Sequence, residues 1–140
     1  MNAVAGPSEL GPYSEAVRRY FANPEHAGDA DAAAGNVLVA QASDPGSGTV
    51  VRLAVATDGL RISAMRYRVY GCPHVIAALE YCCERFEGSA VKTLAEFSLA
   101  SMRAALDVPV EKMGRMLLIE DVIRSICEQA ERPGQHRNGQ

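Results

Sequence analysis

The chain has 140 residues, 48% hydrophobic and 22% charged, with 14 basic and 17 acidic side chains and a formal net charge of −3. That length and balance suit one globular domain of about 100–150 residues and exclude a disordered or collagen-like chain. The charge speaks against a nucleic-acid binder, whose affinity rests on neutralising phosphates, and no apolar run reaches the roughly 18 residues of a membrane-spanning helix.

The N-terminus lacks the basic start and apolar core of a secretory signal, so the cytoplasm is the expected location. The thiols of Cys72, Cys82, Cys83 and Cys127 are then expected to be reduced. Residues 1–11, with Gly6, Pro7 and Gly11, read as a flexible arm. Residues 131–140 contain nothing to bury and read as a disordered tail, leaving a single domain over 12–130.

In chain order, Pro12 can open a helix because its missing N–H costs nothing there. Tyr13, Ala16, Val17, Tyr20 and Phe21 recur at helical spacing, and Asn23-Pro24 ends the run. Residues 25–35 read as loop. Three apolar runs with strand character follow: 37–42, 49–56 after the Asp44-Pro-Gly-Ser-Gly48 turn, and 60–70 after an Asp58-Gly59 hairpin turn. Alternation on the third strand sets Ser63, Met65, Tyr67 and Val69 on one face and Ile62, Ala64, Arg66, Arg68 and Tyr70 on the other. Arg61, Arg66 and Arg68 read as a modest basic stripe on a solvated face.

The remainder is helical. Pro73 starts a helix with Ile76, Leu79, Cys83 and Phe86 on one stripe, and Gly88 ends it. Thr93-Leu-Ala-Glu96 has the form of a capping box opening a short helix towards Leu106. After Asp107-Val-Pro109, a last helix buries Met116, Ile119, Val122, Ile123 and Ile126. Strands first and helices afterwards predict an α+β domain, with a three-stranded antiparallel sheet and helices 73–87 and 110–130 packed on one face.

Cys72 is the leading candidate for chemistry. It lies between the third strand and a helix start, where free N–H groups and the helix dipole favour a thiolate. Cys82, Cys83 and Cys127 sit within helices and read as small core hydrophobes. No C-x-x-C pair, phosphate loop or paired-histidine metal motif is present. His74, at a helix start, reads as a surface residue.

Tyr13-Ser-Glu15, Asn23-Pro24 and His26-Ala-Gly28 resemble the Y-S-E … N-P-x-N-x-G opening of the NifU/IscU-type iron–sulfur cluster scaffold family. Tyr70-Gly-Cys72 with Ile76-Ala77, and Pro109–Lys112 followed by a helix carrying Glu120-Asp121 and Ile123, extend the resemblance over about residues 12–130. The resemblance implies a site of three cysteines and an aspartate, since iron in a cluster takes thiolate ligands. Cys72 matches the middle cysteine of that set. Ser47 stands at the first cysteine, Thr49 at the aspartate, and Gly114 and Arg115 at a His-Cys pair. Cys72 is therefore the retained ligand, and Arg115 places a cation where the family has its third thiolate.

The implied function is iron–sulfur cluster assembly, with iron or a two-iron cluster (2Fe-2S) handled transiently through Cys72 while a partner completes the ligands. Tight binding of a cluster or zinc by the isolated monomer is not expected. A cysteine desulfurase or another assembly protein is the implied partner, and Pro109 and Lys112 are the implied partner-binding residues. Those two are what Val108-Pro-Val-Glu-Lys112 retains of the family's chaperone-recognition stretch, which weakens the expectation of chaperone recognition. Two alternatives stand beside this reading: a binding module or regulator that holds no cluster, and a single-cysteine persulfide carrier. None of the three is an enzyme in the strict sense.

Overall fold

The structure, a computed structural model, describes residues 13–29 and 36–131. The arm over 1–11, Pro12, part of the expected 25–35 loop and the expected tail beyond Glu131 lie outside the described residues.

Helix α1 spans Glu15–Ala22. Its start is set by Ser14 rather than by Pro12, because the Ser14 hydroxyl oxygen accepts the Val17 N–H at 3.1 Å and satisfies a donor the helix itself cannot. The same hydroxyl donates to the Leu106 carbonyl at 2.6 Å and ties α1 to a helix far along the chain.

Strands β1 (Asn36–Asp44), β2 (Thr49–Asp58) and β3 (Arg61–Tyr70) form an antiparallel sheet in the order β1-β2-β3. Asp58 pairs with Arg61, so the loop residues of the second hairpin are Gly59-Leu60 rather than Asp58-Gly59. Gly59 has φ +68°, as a two-residue loop with glycine first requires.

The register corrects the expected faces of β3. Ala56 pairs with Ala64 but Thr57 pairs with Ile62, leaving Ser63 as the extra residue of a bulge. One inserted residue reverses side-chain alternation, so Ile62 joins Met65 and Tyr67 in the core while Arg66 and Arg68 stay on the outer face.

Helix α2 (Pro73–Phe86) follows β3 directly, and Gly88, with φ +89°, turns the chain out of it. The single helix expected from Thr93 is two elements: a 3-10 helix over Val91–Glu96 and α3 over Leu99–Leu106. Thr93 forms no capping box; its hydroxyl donates to the Ala90 carbonyl at 2.6 Å. Ser98 caps α3 instead, accepting the Ser101 N–H at 3.1 Å. A short 3-10 turn, Val110–Lys112, leads into α4 (Met113–Ala130).

One core joins the inner sheet face (Leu38, Val51, Leu53, Val55, Met65) to Leu79 of α2 and to Ile119 and Ile126 of α4. Each such large side chain, fully withdrawn from water, contributes about 1.5–3 kcal/mol of transfer free energy. That burial positions the start of α2 and the start of α4 relative to the sheet.

Candidate functional site

The site is built where β3 becomes α2. Gly71 and Cys72 make the junction, and Pro73 occupies the first helical turn, where its absent N–H is no loss. Cys72 is the N-cap residue in extended conformation, with its carbonyl accepting from Val75 and Ile76. Its side chain makes no capping hydrogen bond, and it is half-buried.

The β1–β2 turn lies beside this junction. A Cβ at Gly71 would stand 3.3 Å from Thr49 Cγ2, a tight contact that would require Thr49 to give by a few tenths of an ångström. Thr49 is buried. Ser47 Oγ lies 2.8 Å from Thr49 Oγ1 and 2.9 Å from Asp44 Oδ2, and Asp44 also accepts the Gly46 N–H. The hydroxyls of Ser47 and Thr49 are thus engaged with each other.

The start of α4 supplies charge. Burial lowers the His74 pKa, and Lys112 and Arg115 lower it further, with Glu111 opposing them. Arg115 and Lys112 therefore act electrostatically on the residue two positions after Cys72. Gly114 is exposed, with open space where a side chain would be. Pro109 is half-buried between buried Val108 and exposed Val110.

His74 corrects a sequence expectation. It is only 2% exposed, its ring centroid is 4.6 Å from that of Tyr13, and its buried Nδ1 has no hydrogen-bond partner among the described residues. Tyr13 precedes α1, so the ring is covered by a tertiary contact that helical spacing does not reveal.

Chemically, Cys72 is the one soft, potentially anionic donor among Ser47, Thr49, Cys72, Gly114 and Arg115. Ser47 and Thr49 offer neutral hydroxyls, Gly114 nothing and Arg115 a cation. Among the described residues, no group of three or more His, Cys, Asp or Glu side chains is placed to hold a metal ion. These residues do not by themselves complete the four-ligand shell of a cluster.

Cys82 and Cys83 are buried; burial pushes the Cys82 pKa up to about 12 and that of Cys83 well above its ordinary value. Cys127 is half-buried and raised, by burial first and then by Glu131 and Glu128.

Away from Cys72, sequence reading missed a polar network. Glu80 of α2 is only 3% exposed, yet it binds Tyr67 and His26. Burial and then Glu80 push the Tyr67 hydroxyl upward. The available signal was a glutamate directly following the buried stripe residue Leu79, on a helix otherwise apolar on that side. Nor is the basic stripe free: Arg66 pairs with Glu87 at 3.0 Å and Arg68 with Asp29 at 2.9 Å.

Residues 12–133 match the NifU-like N terminal domain. The chain is 27% identical over 114 residues to the iron-sulfur cluster assembly scaffold protein IscU of Rickettsia prowazekii, covering 81% of this chain and 87% of that protein. It is 29% identical over 126 residues to the bifunctional protein NifU/MnmA of Rubrobacter xylanophilus, where the match covers 87% of this chain but only 25% of the longer protein. Two crystal structures share the fold. A protein of Fervidobacterium islandicum, described as an assembly scaffold for the SUF system, matches with TM-score 0.55 and 16% identity, over 94% of this chain and 90% of that one. A NifU-like N-terminal protein of Brucella abortus matches with TM-score 0.51 and 14% identity, over 59% and 56%. With the match running through nearly all of the folded residues, the chain belongs to the NifU-like N terminal domain family.

Proposed function

We propose that this protein serves iron–sulfur cluster assembly as a scaffold-shaped member that handles iron, sulfur or cluster through Cys72, with a partner completing the ligands. The observation that carries the reading is the placement of Cys72: a half-buried thiol at the head of α2, beside the Thr49 turn, in a chain whose relatives are named as assembly scaffolds. A cysteine desulfurase or another assembly protein is the proposed partner, and the role is carriage rather than catalysis.

The incomplete ligand set favours a shared rather than self-contained site. The same observation supports a second reading, a docking module or persulfide carrier that holds no cluster. Anaerobic reconstitution with iron and sulfide, with and without a cysteine desulfurase, separates them. On the first reading, iron and visible absorbance are retained when the partner is present and lost in Cys72→Ser. Retention by Cys72→Ser overturns the role of Cys72. Failure of the wild type to retain iron under any condition, while Cys72 accepts a persulfide, establishes the carrier instead.

A further inference from the structure

Residues 23–29 run alongside the outer edge of β3. Gly28 N–H donates to the Tyr67 carbonyl at 2.8 Å, and Tyr67 N–H donates to the His26 carbonyl at 3.1 Å. These bonds cover an edge that would otherwise offer unpaired backbone groups. The segment is tied to α2 and its C-cap through His26. His26 Nδ1 lies 2.9 Å from Glu80 Oε1, and His26 Nε2 lies 3.1 Å from Glu87 Oε1. Glu80 Oε2 also accepts the His26 N–H at 2.7 Å and the Tyr67 hydroxyl at 2.8 Å. Glu87 Oε2 accepts the Met65 N–H at 2.8 Å and pairs with Arg66. Asp29 anchors the far end of the segment to Arg68.

Both ring nitrogens of His26 face carboxylate oxygens. A neutral imidazole has one N–H and can serve only one of them; the imidazolium serves both. We propose that His26 is a proton-operated latch, clamping residues 23–29 to the edge of β3 when its ring is protonated and loosening them when it is not. The groups that face it are Glu80 from α2, Glu87 from the C-cap of α2, and Tyr67 and Arg66 from β3, which share those carboxylates. Burial opposes charge on the ring, but the bonds and charges of Glu80 and Glu87 prevail and hold its pKa above the ordinary 6.5. The latch therefore releases at a higher pH than an ordinary imidazole would deprotonate.

The released edge borders a cleft of about 540 Å³, lined by Phe21, Ala27, Gly28, Val69 and Ile76. Ile76 is one turn beyond Cys72 on α2. Opening the latch enlarges this cleft and frees the β3 edge next to the cysteine-bearing helix.

Amide hydrogen exchange on the full chain, corrected for intrinsic pH dependence, tests this between about pH 5.5 and 8.5. The His26 ring protons report its titration in the same samples by nuclear magnetic resonance. Protection at Gly28 and Tyr67 should fall about ten- to a hundredfold across that titration, the loss of one charge-assisted hydrogen bond, while Val51 and Leu53 in β2 hold theirs. Glu87→Gln keeps a hydrogen-bond partner without the charge and should move the midpoint to lower pH. His26→Gln should abolish the step. Flat protection across the His26 titration, a step that survives His26→Gln, or an unmoved midpoint in Glu87→Gln each overturns the latch. Should His26→Gln not fold, the wild-type profile and Glu87→Gln decide alone.

Discussion

Thr49 closes on Gly71: its methyl carbon stands 3.3 Å from where a side chain at residue 71 would begin, and Val75 and Val69 stand within 3.5 Å of the same point. This contact seats the β1–β2 turn against the Cys72 junction. Thr49 and Val75 are buried, so neither moves aside freely. Gly71→Ala should destabilise the fold by about 1–3 kcal/mol, the usual cost of overpacking. Urea denaturation measures it; unchanged stability would mean that the turn and junction adjust independently.

Cys72 should be the first thiol to react. Cys82 and Cys83 are buried and their thiolates are disfavoured, and Cys127 is raised by burial and by neighbouring carboxylates. Site-resolved alkylation at neutral pH should label Cys72 at least about tenfold faster than Cys127, given its place at a helix N-terminus. Arg115→Leu should slow Cys72 by roughly twofold to tenfold, the loss of one nearby cation. Faster labelling of Cys127, or an unchanged Cys72 rate in Arg115→Leu, would sink the activated-thiol reading.

The two described histidines, half-buried His26 and buried His74, should give opposite pH signatures. His26 is raised in the folded state, so its stabilisation is fully present below its unfolded pKa of about 6.5 and fades as pH rises through the folded value. His74 is lowered, chiefly by burial, so its contribution stands above the unfolded value and is lost as pH falls towards the folded one. The deficit of His26→Gln relative to wild type should therefore shrink as pH rises. His74→Phe, which also removes the unpartnered Nδ1, should gain on wild type as pH falls. Urea denaturation across pH reads both trends, and parallel slopes for the two variants would contradict the assignment.

The start of α3 is a simpler test. Ser98→Ala removes the acceptor for the Ser101 N–H and should cost about 1 kcal/mol, whereas Thr93→Ala loses one hydroxyl bond within a 3-10 turn and should cost about half as much. A larger loss from Thr93→Ala would restore the capping box at Thr93.

Much of this protein was legible before any coordinates. The three strands, their antiparallel order and the apolar stripes of α2 and α4 follow from periods of two and 3.6 residues, which are local properties of the chain. The prominence of Cys72 followed in the same way, because a cysteine between a strand and Pro73 lies at a helix start wherever the helix packs. What the tertiary structure alone decided depends on partners distant in sequence. The bulge at Ser63 moved Ile62 into the core, because register is set by pairing with β2 rather than by alternation along β3. His74 is buried because Tyr13, more than sixty residues earlier, covers it. Glu80, polar in a stripe otherwise apolar, is stable there because Tyr67 and His26 arrive from two other segments to satisfy it. Local sequence dictates which surfaces a segment must bury; only the assembled fold determines which groups meet there, because those contacts join residues whose separation along the chain carries no periodic signal.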